Sequence, residues 1–165
     1  MEIKTIKVKG VVLEDFVNYK KPSMFVGVHK CDWKCCKEQN LPLTTCQNNS
    51  LHETKTQELD IKDLINKYLA NPITEAIVVG GLEPIINFEE VLELLKELRS
   101  RDCNDDFVVY TGYYPDEILQ ELELIKQFQN VYFKFGRYMP NKEARYDEVL
   151  GVTLASSNQY GQKIS

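Results

Sequence analysis

Short apolar runs of strand length recur along the chain and alternate with longer amphipathic segments. The runs lie at residues 2–9, 24–28, 76–79, 107–110 and 131–135. The first alternates apolar and charged positions, as a strand with one exposed face does. The other four are nearly continuous in apolar residues, which is typical of strands buried on both faces. The pattern therefore predicts five strands.

Segments with apolar residues three and four positions apart lie between these runs. They occupy residues 61–69, 88–99 and 115–125, and the first ends at Asn71-Pro72, as helices do before proline. Pro115 suits the first turn of the third helix. Buried strands that alternate with amphipathic helices predict an α/β fold with a mostly parallel sheet. No repeat or low-complexity linker interrupts the chain, so residues 1–165 are expected to form a single domain.

Parallel α/β sheets carry their chemistry at the carboxyl ends of the strands. Here those ends hold a cysteine-rich segment after residue 28 and three shorter segments. The shorter ones are Gly-Gly-Leu-Glu-Pro at 80–84, Tyr-Thr-Gly at 110–112 and Lys-Phe-Gly at 134–136. Every candidate motif of the sequence is therefore expected on one rim of the sheet.

The composition disfavours several classes of protein. The chain has 165 residues and a net charge of −5 with no basic block, so nucleic acid and anionic membranes are not expected as partners. No apolar run approaches the roughly 18 residues of a membrane span. The N-terminal segment has no signal-peptide core, so a cytoplasmic location is expected. Four of the five cysteines lie within sixteen residues, and in a reducing compartment such clusters favour metal or redox chemistry.

Cys31, Cys35 and Cys46 are the candidate metal ligands. Thiolates bind iron–sulfur clusters and structural zinc. A cluster held by three cysteines leaves one metal position open for chemistry. Cys36 adjoins Cys35, and neighbouring side chains on an extended backbone point apart, so only one of the two is expected to bind. Cys103 lies in a distant polar segment and is interpreted as incidental.

Two other interpretations of the cysteines stay open. A zinc knuckle would use the same three residues together with His29. Buried cysteines without a metal are less favoured, because Cys31, Cys35 and Cys36 lie among Lys, Asp and Gln rather than in an apolar run.

A double glycine and a carboxylate follow the predicted strand at residues 76–79. Gly80-Gly81 permits a close approach of the backbone to a ligand, or simply a tight turn. Glu83, held by the proline after it, is placed to accept hydrogen bonds from an ammonium group. Thr111, at the end of the next strand, offers a hydroxyl to the same ligand, although a β-branched residue that merely ends the strand explains it equally well.

Together these residues resemble the radical S-adenosylmethionine (SAM) superfamily, and within it the small activating proteins of anaerobic (class III) ribonucleotide reductase. The resemblance covers most of the chain, from the cysteine segment to the C-terminus. The segments that carry it are Cys31-x3-Cys35, Cys46-Gln-Asn48, Gly80-Gly81-Leu82-Glu83-Pro84, Val109-Tyr-Thr-Gly-Tyr113, Phe135-Gly-Arg137 and Ala155-Ser-Ser-Asn-Gln159.

The chain departs from the family pattern at three points. Ten residues separate Cys35 from Cys46, where the family spaces its cysteines Cys-x3-Cys-x2-Cys. Thr45 replaces the aromatic residue that normally precedes the last cysteine, and Leu82 interrupts Gly-Gly-Glu-Pro. The spacing from Cys31 matches the family motif at Cys35, so the resemblance favours Cys35 over its neighbour as the ligand.

The resemblance implies a partial (βα) barrel of the radical SAM type and a 4Fe–4S cluster held by Cys31, Cys35 and Cys46. SAM would chelate the fourth iron through its amino and carboxylate groups. The residues implied to bind SAM are Gly80, Gly81, Glu83, Thr111 and Asn48. No side chain is implied to act as a catalytic acid, base or nucleophile, because the cofactor supplies the chemistry.

The implied function is the reductive cleavage of SAM to a 5′-deoxyadenosyl radical, which installs a glycyl radical on an anaerobic ribonucleoside-triphosphate reductase. The implied partners are that glycyl-radical enzyme and a reducing electron donor such as flavodoxin or ferredoxin. Two other functions stay open. One is a radical SAM enzyme that acts on another peptide or small molecule, and the other is a non-catalytic, zinc-binding adaptor domain.

Overall fold

The computed structural model describes residues 2–42, 45, 50 and 53–165, and for Cys35 it describes the backbone alone. The strands are β1 (Thr5–Asp15), β2 (Ser23–Val28), β3 (Gln57–Asp60), β4 (Ala76–Gly81), β5 (Asp106–Tyr110), β6 (Val131–Phe135), β7 (Arg145–Asp147), β8 (Val152–Leu154) and β9 (Tyr160–Lys163). The α-helices are α1 (Lys34–Glu38), α2 (Ile61–Ala70), α3 (Phe88–Ser100) and α4 (Leu119–Ile125). Short 3-10 turns at Pro84–Asn87 and Pro115–Glu117 precede α3 and α4.

The main sheet of the described residues has the strand order β3-β1-β2-β4-β5-β6-β9. Strands β2, β4, β5 and β6 are parallel neighbours, while β1, β3 and β9 add antiparallel pairings towards the edges. The four parallel strands therefore end at the same rim. The prediction that the segments at 80–84, 110–112 and 134–136 share one rim is confirmed, and so is the predicted position there of the described part of the cysteine segment, which contains Cys31 and Cys36.

One face of this sheet is covered by helices. Alternate strand residues such as Val26, Val79 and Phe133 point to this face and are fully buried. Side chains of α2, α3 and α4 pack against them in one large cluster, because each helix presents an apolar stripe at three- and four-residue spacing. This cluster is the main hydrophobic core.

The opposite face carries a smaller apolar cluster and is covered by loops and a hairpin. Its buried members are Tyr19, Ala76, Val78, Val108, Leu150 and Leu154. Tyr19 lies in the connection between β1 and β2. Strands β7 and β8 pair antiparallel; Leu150 lies in the connection between them and Leu154 lies in β8. Nearer the rim, this face carries Gly27 and Gly80, which have no side chains. The small residues leave room for a cavity.

Most of the predicted elements are present. Strands β4, β5 and β6 and helices α2 and α3 occur where the apolar pattern placed them. Strand β1 extends farther than predicted, to Asp15. The third helix also differs, because Pro115 begins a separate 3-10 turn and α4 starts only at Leu119.

The strands that the pattern missed are β3, β7, β8 and β9. They have three or four residues each, and their burial is mixed or low. Backbone pairing with a neighbour, rather than a run of apolar side chains, defines such strands. The helices within the described residues are all too short or too polar to cross a membrane. The partial barrel implied by the resemblance stays a prediction.

Candidate functional site

A cavity of about 320 Å³ lies at the carboxyl ends of the parallel strands, on the face without helices. Its lining includes the rim residues Cys31, Cys36, Gly81, Glu83, Thr111, Gly112 and Lys134. Residues 17–18 and 152–155 bound it on the sides. Two cysteines, a glutamate and a lysine therefore line one cavity.

Glu83 is the most firmly held polar group of this cavity. It caps the 3-10 turn that follows β4, where its Oε2 accepts a hydrogen bond of 2.8 Å from the Ile85 amide. The same oxygen accepts a bond of 2.9 Å from the Thr111 hydroxyl, and Oε1 accepts one of 2.8 Å from the Gly112 amide. The side chain is only 6% exposed. These bonds fix the carboxylate at the ends of β4 and β5.

The electrostatics of Glu83 suit a cationic ligand. Burial raises the pKa of its carboxyl above the ordinary value, while the hydrogen bonds from Ile85, Gly112 and Thr111 and the charge of Lys134 act in the opposite direction. A ligand cation placed against the carboxylate would favour the ionised form further. The predicted contact of Glu83 with an ammonium group stays a prediction.

The two glycines have different roles. Gly81 has a φ of +82°, and a Cβ added there would lie 2.8 Å from the Cα of Gly27 on the neighbouring strand. Only glycine fits this turn without strain. Gly80 has no such backbone requirement, but a Cβ there would lie 3.2 Å from the Phe25 ring and 3.3 Å from Tyr110 Cβ, beside the cavity. The tight-turn interpretation therefore has a physical basis at Gly81, and the approach of a ligand to the pair stays a prediction.

Thr111 supports Glu83. It is almost fully buried and lines the cavity. Its hydroxyl donates to Glu83 and accepts a hydrogen bond of 3.1 Å from the Tyr113 amide. The predicted contact of Thr111 with a ligand stays a prediction, whereas its contact with the carboxylate is a feature of the fold.

Cys31 lies at the start of the cysteine segment and is half-buried. Its sulfur accepts a hydrogen bond of 3.2 Å from the amide of Trp33. Trp33 adopts a left-handed conformation with a φ of 61° and immediately precedes α1. An amide that points at a sulfur stabilises its thiolate form. This hydrogen bond is compatible with the predicted role of Cys31 as a metal ligand, which stays a prediction.

The expectation for Cys36 rested on an extended backbone and is wrong in that respect. Residues Lys34–Glu38 form α1, where successive side chains are separated by about 100° rather than 180°. Cys36 is 3% exposed and lines the same cavity as Cys31. The structure therefore brings a second thiol, at a position that the sequence interpretation set aside, to the cavity.

Several predicted site residues lie outside the described residues. These are Cys46 and Asn48, together with the side chain of Cys35. Within the described ranges, no group of three or more His, Cys, Asp or Glu side chains is arranged to hold a metal ion. The proposed set of three cysteines therefore stays a prediction, of which the structure describes the Cys31 side chain.

Lys134 is a cavity residue that the sequence interpretation did not assign to the site. It is 7% exposed, and its Nζ donates a hydrogen bond of 3.1 Å to the carbonyl of Gly136. The same ammonium group lies 5.8 Å from the centre of the Tyr110 ring. A lysine inside the otherwise apolar run at 131–135 was the available signal, because a buried strand admits a charge only where a polar cavity or partner receives it.

The chain belongs to the family described as 4Fe-4S single cluster domain, whose model matches residues 21–159. No curated protein matches the chain. The match includes the cysteine segment and every strand end that contributes to the cavity. It supports a 4Fe–4S cluster as the metal group of this protein.

The residues at the cavity fit such a cluster. Thiolates are its usual ligands, and the described thiols of Cys31 and Cys36 both face the cavity. The Trp33 amide donates to the sulfur of Cys31, and hydrogen bonds of this kind tune iron–sulfur clusters.

Proposed function

We propose that this protein is a radical SAM enzyme that reductively cleaves SAM and installs a glycyl radical on an anaerobic ribonucleoside-triphosphate reductase. One observation carries the proposal. In a chain of a 4Fe–4S family, a hydrogen-bonded, buried carboxylate, Glu83, lines the same cavity as the thiol of Cys31. A cluster alone needs no such carboxylate, whereas an amino-acid ligand bound beside the cluster does.

In this proposal Cys31, Cys35 and Cys46 hold the cluster. When bound, the cluster supplies the single electron that breaks the bond between the sulfonium and the 5′ carbon of SAM, which gives methionine and the 5′-deoxyadenosyl radical. The electron comes from a reduced donor such as flavodoxin or ferredoxin. The hydrogen atom that the radical then removes belongs to a glycine of the partner, so the products are 5′-deoxyadenosine and the glycyl radical.

The chain itself binds and orients SAM. Glu83 accepts hydrogen bonds from the amino group, and the carboxylate is already aimed by Ile85, Thr111 and Gly112. The turn at Gly80 and Gly81 lets the backbone approach the same group. Thr111 and Asn48 contact the nucleoside.

The surroundings of the cavity suit a reactive intermediate and a large substrate. We infer that the sheet curves into a partial (βα) barrel with the cavity inside it. Apolar side chains such as Phe25, Leu82 and Leu154 line part of the wall and limit access of water. The sides formed by residues 17–18 and 152–155 would face the peptide segment that carries the glycine.

The first experiment tests the cofactor chemistry. The protein is purified under anaerobic conditions, its iron and sulfide are measured, and it is reduced with dithionite in the presence of SAM. We expect four irons per chain, as the family implies, and release of methionine and 5′-deoxyadenosine. Colourless protein with stoichiometric zinc would instead identify the adaptor domain, and a loaded cluster without SAM cleavage would rule out the radical SAM assignment.

The second experiment tests the substrate. A class III reductase from the same genome is incubated with the reduced protein and SAM, and an organic radical is sought by electron paramagnetic resonance. SAM cleavage with no radical on any class III reductase, or a genome that encodes none, would favour another peptide or a small molecule as the substrate.

A further inference from the structure

Arg137 is a buried arginine directly after the Lys-Phe-Gly segment that ends β6. It is 4% exposed, and a guanidinium group is rarely buried to this extent without carboxylate partners. The partners are Glu38 and Glu117, which come from distant parts of the chain. Nη2 donates a hydrogen bond to Glu117 Oε2, and Nε forms an ion pair with Glu38 Oε2 that lacks hydrogen-bond alignment.

The first partner belongs to the cysteine segment. Glu38 is the last residue of α1, the helix that contains Cys35 and Cys36. Besides the ion pair through Nε, Arg137 Nη2 donates a hydrogen bond of 3.2 Å to Glu38 Oε1. Arg137 therefore holds the C-terminal end of the helix that follows Cys31.

The third contact of Arg137 is with Gly112, which also contacts Glu83. Arg137 Nη1 donates a hydrogen bond of 3.2 Å to the carbonyl of Gly112. The amide of Gly112 in turn donates to Glu83 Oε1. One guanidinium group thus connects the cysteine helix to Gly112, the residue whose amide donates to the Glu83 carboxylate. Only the planar fork of arginine can reach a carbonyl and two carboxylates at once.

Other contacts attach the start of α1 to the same place. Lys34 Nζ lies 3.3 Å from Glu117 Oε2 and 3.7 Å from Glu38 Oε1. Its ammonium group also lies 4.9 Å from the centre of the Tyr113 ring, and the hydroxyl of that tyrosine donates to Asp32. Both ends of the short helix are therefore anchored to the ends of β5 and β6.

We propose that Arg137 is a positioning residue that keeps the cysteine helix aligned with the Glu83 site, so that cluster retention and ligand binding are coupled through it. Its side chain is absent from the described lining of the cavity, so it acts through Glu38 and Gly112. The inference about cluster retention rests on the 4Fe–4S family of the chain, and the inference about ligand binding rests on the proposed function.

The test compares Arg137→Gln and Arg137→Lys with the unchanged protein, all purified anaerobically. The measurements are iron and sulfide per chain, the paramagnetic spectrum of the reduced cluster with and without SAM, and the Kd for SAM. We expect Arg137→Gln to retain several-fold less iron and to bind SAM about tenfold more weakly, because a charged hydrogen bond contributes on that order. Arg137→Lys restores part of the iron, since it keeps the charge but not the fork.

Arg101→Gln is the matched control. Arg101 also binds a carboxylate and an amide, Glu97 at 2.9 Å and Asn66 at 2.7 Å, but it lies at the end of α3, away from the cavity. Its variant is expected to keep iron and SAM affinity. If Arg101→Gln lost as much iron as Arg137→Gln, the effect would be a general loss of stability and the positioning role would be wrong.

Glu38→Gln separates the positioning role of Arg137 from a simple folding defect. Glu38 is about half exposed, so Glu38→Gln should fold, and we expect it to weaken iron retention in the same direction as Arg137→Gln. Normal iron content and an unchanged cluster spectrum in both Glu38→Gln and Arg137→Lys would overturn the inference. If the unchanged protein holds its cluster but ignores SAM, the proposed function fails, while the iron measurements still decide the role of Arg137.

Discussion

The two faces of the parallel strands differ in what they pack against. On one face, residues such as Val79, Val109 and Phe133 are sealed under α2, α3 and α4. On the other face, near the rim, the same strands present Phe25, Tyr110 and Lys134 to a cavity. Successive residues of one strand therefore contribute to different parts of the molecule, because side chains alternate between the two faces of the sheet. The helical face provides stability and the cavity face provides the site.

The strongest test of this division is Phe133→Ala. Phe133 is fully buried on the helical face, where its ring stacks on Phe135 with centroids 5.4 Å apart. We expect a loss of about 3–5 kcal/mol in the free energy of unfolding, because the variant leaves a cavity in the core. Urea denaturation measures it. Tyr132 is one residue earlier, on the other face, and is half-buried. Tyr132→Ala should lower the free energy of unfolding by less than half as much, and equal losses in the two variants would contradict the different roles of the two faces.

Gly81→Ala and Gly80→Ala form the next pair. Alanine at position 81 must adopt a left-handed φ and meets the backbone of Gly27, so we expect a loss of about 1–3 kcal/mol in stability. Alanine at position 80 meets only the side chains of Phe25 and Tyr110 and should leave stability nearly unchanged while reducing space in the cavity. Thermal denaturation, together with SAM affinity, separates the two effects. Similar stability for both variants would contradict the assigned role of Gly81.

Glu83→Gln tests the contribution of the cavity face to ligand binding. Glutamine keeps the shape but removes the charge and places an NH2 group against the Gly112 amide, or against the Ile85 amide and the Thr111 hydroxyl. A buried donor then loses its acceptor, so we also expect a loss of about 1–3 kcal/mol in stability. Affinity for SAM should fall about 10–100-fold, as expected for the loss of a charged hydrogen bond. Isothermal titration of the anaerobic, cluster-loaded protein measures it. Glu89→Gln, on the exposed side of α3, is the control, and equal affinity in the two variants would remove Glu83 from the site.

The smallest expected effect is the pH-dependent contribution of Glu117 to stability. Burial alone would raise the pKa of Glu117, but hydrogen bonds from Arg137, the Tyr114 amide and Lys34 outweigh it and lower the pKa to about 2. A carboxyl with a lowered pKa stabilises the fold above its unfolded value of about 4.3, and this contribution is lost as the pH falls towards the folded value.

Glu117→Gln should therefore be less stable than the unchanged protein by about 1 kcal/mol at pH 7. The difference should shrink between pH values of about 4.3 and 2. Denaturation curves across this range, with Glu123→Gln as an exposed ion-pair control, check it. A difference that persists unchanged at pH 2 would show that the stabilisation does not come from the charge of Glu117.

Part of the site could be predicted because its signals are local. Gly81 is the last residue of the buried strand β4 and Glu83 follows two residues later, and the cap that Glu83 makes to Ile85 is a contact between near neighbours. Strand ends of a parallel sheet meet at one rim whatever the details of packing. The assignment of Glu83 to that rim therefore needed only the apolar pattern.

The roles of Cys36 and Arg137 could not be predicted in this way. The exposure of Cys36 to the cavity depends on a helix of five residues, too short for a periodic pattern to reveal. Arg137 meets Glu38 across a separation of 99 residues, and no local pattern indicates such a partner.

The sequence by itself determined the alternation of strands and helices, the common rim and the cysteine-rich, glycine-rich and acidic segments at it. These follow from burial and backbone preferences that act over a few neighbouring residues. Only the tertiary structure decided which charges pair and which side chains enclose the cavity. Those choices depend on the order of strands in the sheet, which brings residues from distant parts of the chain within hydrogen-bonding distance.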